Sequence, residues 1–241
     1  QWSRFHEHRG PRPCCGGRLA VIDLDAATVL LQWATGGLFF LWVTGRRREV
    51  GIGYGWTMRI TFGLMAAGGV AVGVLFEPQP VRDTFGALML GATMVALGVS
   101  AVRRKAGVTG QRGTEERRTA RVAAMTGIDK DAQTFSDGPE FPAHLDLLAP
   151  LLGVVALVAG GIHAGHPAWI SVARVLIGAL FLGAISDAML LGHWYLVQPG
   201  LARGPLIELV WWSGLLWPFE LAVLLWPTGM VSVLNGAIAD G

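Results

Sequence analysis

The sequence predicts an all-α fold, a polytopic bundle of about six transmembrane helices, and three observations predict it. Apolar residues make up 52% of the 241 residues and charged residues only 15%, where a soluble domain carries about a quarter charged. Apolar stretches near the roughly 20 residues needed to cross about 30 Å of hydrocarbon recur six times. No segment alternates apolar and polar residues as the strands of a membrane barrel do. The same composition excludes a disordered chain, and the two cysteines, the neighbours Cys14 and Cys15, are too few for a disulfide scaffold.

The spans are expected at approximately Ala27–Thr44, Trp56–Phe76, Thr84–Val102, Leu147–His163, Ile170–His193 and Pro205–Trp226. The third carries no charged residue, and the fourth is the shortest, entered through Asp146 and Pro150. Trp56, Trp169, Trp194 and Trp226 stand at span ends, where an amphipathic ring prefers the headgroup layer. Small residues recur four apart at Gly69 and Gly73, at Gly63, Ala67 and Ala71, at Ala92 and Ala96, and at Ala156 and Gly160. That spacing lets helix backbones approach closely in lipid, although a chain with 34 glycines produces some such pairs by chance. The chain divides into a tail (1–20), a three-helix half (21–102), a basic connecting loop (103–146) and a second three-helix half (147–241).

Loop arginines set the orientation. The connections after spans one, three and five share one side and hold Arg46, Arg47, Arg48, Arg103, Arg104, Lys105 and Arg203, with further arginines in the long loop. The connections after spans two and four hold only Arg82. The basic side is therefore expected in the cytoplasm, and the protein in the plasma membrane of a bacterium. All but two of the 19 basic residues are arginine, which with the abundant glycine reads as the coding bias of a GC-rich genome. These arginines form no single basic face, so nucleic acid is not an expected partner. The tail, with Arg4, Arg9, Arg12 and Arg18, runs against the orientation. It has no signal-peptide architecture and reads as an addition ahead of a native start near Val21, the alternative being a translocated tail. In the long loop, Thr114-Glu115-Glu116 signals a helix start and Arg117 to Met125 continues it. Ser136 to Pro139 and Phe141-Pro142 read as turns. The loop reads as a solvated linker, or else as a docking surface for a partner or for anionic headgroups.

No soluble-enzyme motif is present, and no catalytic or metal-binding set is expected. Gly51-Ile52-Gly53-Tyr54-Gly55 is glycine-rich, but no strand precedes it and it opens a span. The functional candidates are the ionisable residues at membrane depth, which are expensive to place there. Asp187, His193 and Glu208, with Ser186, share the inner level, whereas Arg174, Glu220, His163 and His166 share the outer one. Glu208 is expected to reach His193, forming a carboxylate–imidazole pair that relays protons or holds a quinone head group. A structural bond between spans five and six is the bland alternative. Arg174 and Glu220 are expected to pair in the outer half. A single haem between His163 and His193 is excluded by depth, because the two lie in opposite leaflets. His163 and His166 share a helical face but lack further ligands for a metal.

The segment Gly192-His193-Trp194-Tyr195-Leu196, followed by Pro199 and Arg203, resembles a motif in a group of uncharacterised multi-pass bacterial membrane proteins. The resemblance implies an integral membrane location and no particular activity. The expected role is a non-enzymatic component of a membrane assembly with other membrane subunits; the alternatives are a proton-coupled transporter, or a redox subunit using a quinone or haem. The apolar run Met230 to Leu234 after Trp226-Pro227 breaks off at Asp240-Gly241, which reads as the approach to a further span in a longer, eight-span protein. With Cys14 and Cys15 replaced by serine, a cysteine at Ala168 should label from outside intact cells and one at Ser136 should not. The reverse pattern would invert the topology.

Overall fold

The computed structural model describes residues 25–106, 109–127, 140–165, 167–197 and 201–225. All regular structure among them is helical: α1 (Ala26–Gly45), α2 (Ile52–Phe76), α3 (Pro80–Val102), α4 (Thr109–Thr126), α5 (Leu145–Ala164), α6 (Ala168–Val197) and α7 (Gly204–Leu225). All but α4 are long and apolar enough to cross a membrane, so the protein is a multi-pass helix bundle in contact with lipid. Helix α4 is hydrophilic and follows a 3-10 turn at Arg103–Ala106, where the sequence signals a helix inside the long loop. The N-terminal tail, the turn at 136–139, His166 and the run after Trp226 lie outside the described residues.

Local chemistry explains the helix starts. Asp25 caps α1, its carboxylate accepting the Thr28 N–H at 2.9 Å. Pro80 opens α3 at a position where its missing N–H costs nothing, and Asp83 reaches back to accept the Gln79 N–H at 2.8 Å. That cap extends the third span four residues beyond its expected start. It therefore contains Arg82 and Asp83, and the expectation of a charge-free span is corrected. Helix α2 likewise begins four residues early, at Ile52, which places the glycine-rich segment in its first turn.

Helix α1 is the centre of the bundle. It packs against α2, α5 and α6, while α3 bridges α2 and α5, and α7 lies on the outside of α6. In the most apolar window of each helix, 67% of α1 is buried inside the protein against 11% of α7. Lipid competes with apolar side chains on equal terms, so contact between spans depends on close packing. The tightest crossing joins α1 to α6. A methyl group at Gly36 would overlap the Ala179 carbonyl, and one at Gly183 would run into the Gly36 backbone. Ala179 and Gly183 are four apart, the small-residue spacing again. Two of the expected pairs also sit at contacts: Gly69 lies against Leu31 and the Ala27 carbonyl, and Gly160 against Thr28.

Overpacking of this kind costs about 1–3 kcal/mol or more. Gly36→Val and Gly183→Val should each lower the melting temperature in detergent clearly. Gly91→Ala and Gly98→Ala, at positions with open space where the added methyl would project, should stay within about 0.5 kcal/mol of the parent.

Candidate functional site

Two buried arginines clamp the bundle near its opposite ends. Toward the Arg-rich face, Arg59 of α2 forms a bidentate pair with Asp146 of α5, Nε to Oδ1 at 2.8 Å and Nη2 to Oδ2 at 2.6 Å. Its guanidinium also stacks on the Phe141 ring, 4.5 Å from the centroid. Ser100 lies 3.4 Å from Arg59 Nη1 and accepts the Trp56 indole N–H at 2.9 Å. Toward the opposite face, Arg82 of α3 is 0% exposed. It pairs with Asp25 and Asp83 and donates to the Glu77 carbonyl at 2.7 Å. Each clamp joins helices that are not neighbours in sequence, α2 with α5 and α1 with α3.

Asp187 of α6 breaks this pattern. It is 0% exposed, and neither carboxylate oxygen has a hydrogen-bond partner. It lies ten residues before the end of α6, about 15 Å along the helix from its Arg-rich end. Asp187, Leu191 and Trp194 follow one stripe of α6, and the Trp194 ring packs edge-on against Tyr54 of α2 at 6.1 Å. Tyr54 is 3% exposed, and its hydroxyl also lacks a well-formed hydrogen bond. The hydroxyl lies beside Thr44, within electrostatic reach of Asp187 and of Tyr195. Tyr195 donates to the Ala202 carbonyl and is in turn within reach of Glu49.

The structure separates the other expected members of the inner cluster. Ser186 is occupied, accepting the Trp33 indole N–H at 2.7 Å and donating to the Leu182 carbonyl at 2.6 Å, which staples α6 to α1. Glu208 does not reach His193. It is held instead by Arg46 and by Arg47 Nε at 2.8 Å, because the second turn of α7 faces the α1–α2 connection. His193 is exposed, its Nδ1 3.4 Å from the Met189 carbonyl. Six residues after Asp187, it lies about 240° further round α6, so the expected carboxylate–imidazole pair is corrected.

In the other half, Arg174 and Glu220 act on each other electrostatically but do not close to an ion pair. Glu220 sits over Gly178, where the missing side chain leaves room for the Gln32 amide of α1, and its Oε2 has no partner. His163 bonds the Ala159 carbonyl at 2.8 Å and, with Asp25, Glu77 and Gln79, lines a cavity of about 190 Å³. It stands at the opposite end of the bundle from His193. Among the described residues, no three His, Cys, Asp or Glu side chains group as metal ligands.

Sequence reading passed over Arg59, Tyr54 and the clamp role of Arg82. Arg59 was findable as an arginine seven residues into a span. Arg82 was hidden by its position two residues after Pro80 in a segment that reads as loop. Comparison with protein-family models, curated proteins and solved structures finds no match to this chain.

Removing one partner of a buried ion pair strands the other charge, at about 3–5 kcal/mol. Arg59→Met and Asp146→Leu should therefore each destabilise the detergent-solubilised protein strongly. The double variant should cost less than the sum of the two, as measured by a double-mutant cycle on unfolding.

Proposed function

We propose that this protein is a proton-coupled carrier of the bacterial inner membrane, with Asp187 as the group that takes up and releases the coupled proton. The arginine asymmetry of the loops favours a cytoplasmic Arg-rich face. One observation carries the functional reading: a fully buried carboxyl at membrane depth with no partner on either oxygen. The bundle itself supplies the control. Among the described residues, the two other buried aspartates, Asp83 and Asp146, each hold an arginine. An aspartate at the centre of a membrane helix costs about 2.5–3.5 kcal/mol on insertion scales. A group kept at that cost without a counter-charge is suited to changing its own charge.

The reading as a component of a larger membrane assembly draws on α7. Among the described residues this helix is held mainly by α6, by the Glu208 ion pairs and by the Phe40–Trp212 ring contact, and it leaves Trp211, Trp217 and Phe219 exposed. Lipid covers such a face without any further subunit, so the carrier reading is preferred.

Asp187→Asn keeps the volume of the side chain and removes its proton chemistry. In proteoliposomes, the parent should show a carboxylic C=O infrared band that changes with pH, and a transient charge displacement after a pH jump. The variant should lose both while retaining its helical circular dichroism. An unchanged band and an unchanged transient in Asp187→Asn would refute the proposal.

A further inference from the structure

We infer that the groove between α5 and α6, floored by α1, holds one acyl chain of a membrane phospholipid from the leaflet on the Arg-rich side. This goes beyond the reading of Asp187 and does not depend on it. The groove is a cavity of about 300 Å³ beside the Gly36–Ala179 crossing. Its shape follows from how α5 and α6 are joined. They run antiparallel, with a short link between Ala164 and Ala168. Near that link they touch, since a methyl group on Gly161 would run into Val172.

Counting along the antiparallel pair from this contact sets Leu157 level with Leu176, and Val154 level with Ala179. All four line the cavity. From there the lining continues along α5 to Leu151 and Leu147, whereas on α6 it ends at Leu180. The α6 residue level with Leu147 is Ser186, which is tied to α1 by the Trp33 indole. Toward the Arg-rich face, the groove is thus walled by α5 and open beside it.

The lining decides the chemistry of the occupant. It contains no charged residue, and its one polar side chain, Thr35, already donates its hydroxyl to the Leu31 carbonyl at 2.7 Å. An apolar cavity of about 150 Å³ stays dry, so water does not fill this one. A small molecule with polar groups needs placed polar partners to fix its orientation, and the lining side chains offer none. A plain hydrocarbon chain needs only contact, and it restores the dispersion that an empty groove would forfeit.

Access and length point to the bilayer as the source. Leu151 and Val154 on the rim are 56% and 40% exposed, at a depth where lipid chains lie, whereas Leu157 and Ala179 on the back wall are 0% and 3% exposed. The α5 lining runs from Leu147 to Leu157, about 15 Å along the helix. That is half of the roughly 30 Å hydrocarbon core, the reach of the chains of one leaflet. It begins beside Asp146, whose pair with Arg59 stands toward the Arg-rich face. The chain therefore enters from that side and ends near the bilayer centre.

The test uses the full chain in vesicles of a phospholipid that carries a photoactivated diazirine near the end of one acyl chain. After irradiation and digestion, mass spectrometry should find adducts on Leu157 and Ala179, which surrounding lipid does not reach. Adducts on the exposed Trp211 and Trp217 of α7 report the surrounding lipid. A diazirine near the ester should mark Leu147 and Leu151 instead. Val154→Trp and Leu151→Trp each fill the groove from its exposed rim. Both should lose the back-wall adducts and keep those on α7, and either one decides the matter if it retains the circular dichroism of the parent.

Adducts on α7 with none on Leu157 or Ala179 in the parent would overturn the site. So would back-wall adducts that survive the tryptophan substitutions. A diazirine near the ester that marks Leu157 would overturn the choice of leaflet. None of these results bears on Asp187, because no readout involves its proton.

Discussion

Every charge in this bundle must be compensated inside a medium that offers no water, and the arrangement of the helices follows from how that is done. An arginine at membrane depth needs a carboxylate within hydrogen-bond distance, and its remaining N–H groups need acceptors as well. Arg59 finds Asp146 in a bidentate fork with Ser100 nearby and an aromatic face beneath it. Arg82 finds two aspartates and a backbone carbonyl. Because the partners sit on helices far apart in sequence, satisfying the charge fixes which helices become neighbours. Both clamps are bundle-specific in this sense: a repacking that moved α5 away from α2 would strand Arg59.

Small residues do the complementary task in the middle of the bundle. Between the clamps, α1 and α6 approach until backbone meets backbone at Gly36, Ala179 and Gly183. Dispersion between closely packed atoms is what distinguishes a helix neighbour from lipid. This contact also gives α1 its central place, with α2, α5 and α6 around it and α7 left outside. Above and below the crossing, polar side chains from several helices gather. Gln32 and Glu220 lie on one side of it, and Trp33, Ser186, Asp187 and Tyr54 on the other. Close packing thus separates the polar side chains of the interior into two groups.

Asp187 is the exception that gives the structure a functional reading. Its neighbour in sequence, Ser186, has both hydrogen bonds made, and Trp33 spans the α1–α6 seam to make one of them. The same seam offers Asp187 nothing. Neighbouring residues one position apart on a helix point about 100° apart, which is enough here to put one in a complete network and leave the other buried without a partner.

Much of the architecture was legible in the sequence. Six spans, their approximate limits, the hydrophilic helix of the long loop and the assignment of loops to two faces all follow from hydropathy and arginine placement. These are one-dimensional properties, governed by bilayer thickness and by the cost of a charge at each depth. The separate levels of Asp187, toward the Arg-rich face, and Glu220, toward the opposite one, were legible for the same reason, since depth is read by counting residues along a helix. Partner choice was not. Glu208 and His193 share a level, yet one faces the α1–α2 connection and the other points outward, and only the rotation of α6 and α7 about their axes decides that. Arg59 could be placed at its depth from sequence but could be matched to Asp146 only once α5 was known to lie against α2. Tyr54 read as part of a glycine-rich segment ahead of a span starting at Trp56, until α2 proved to begin at Ile52. Depth is encoded locally; which stripe faces which helix is set by the closest backbone crossings, and those form between residues more than a hundred positions apart.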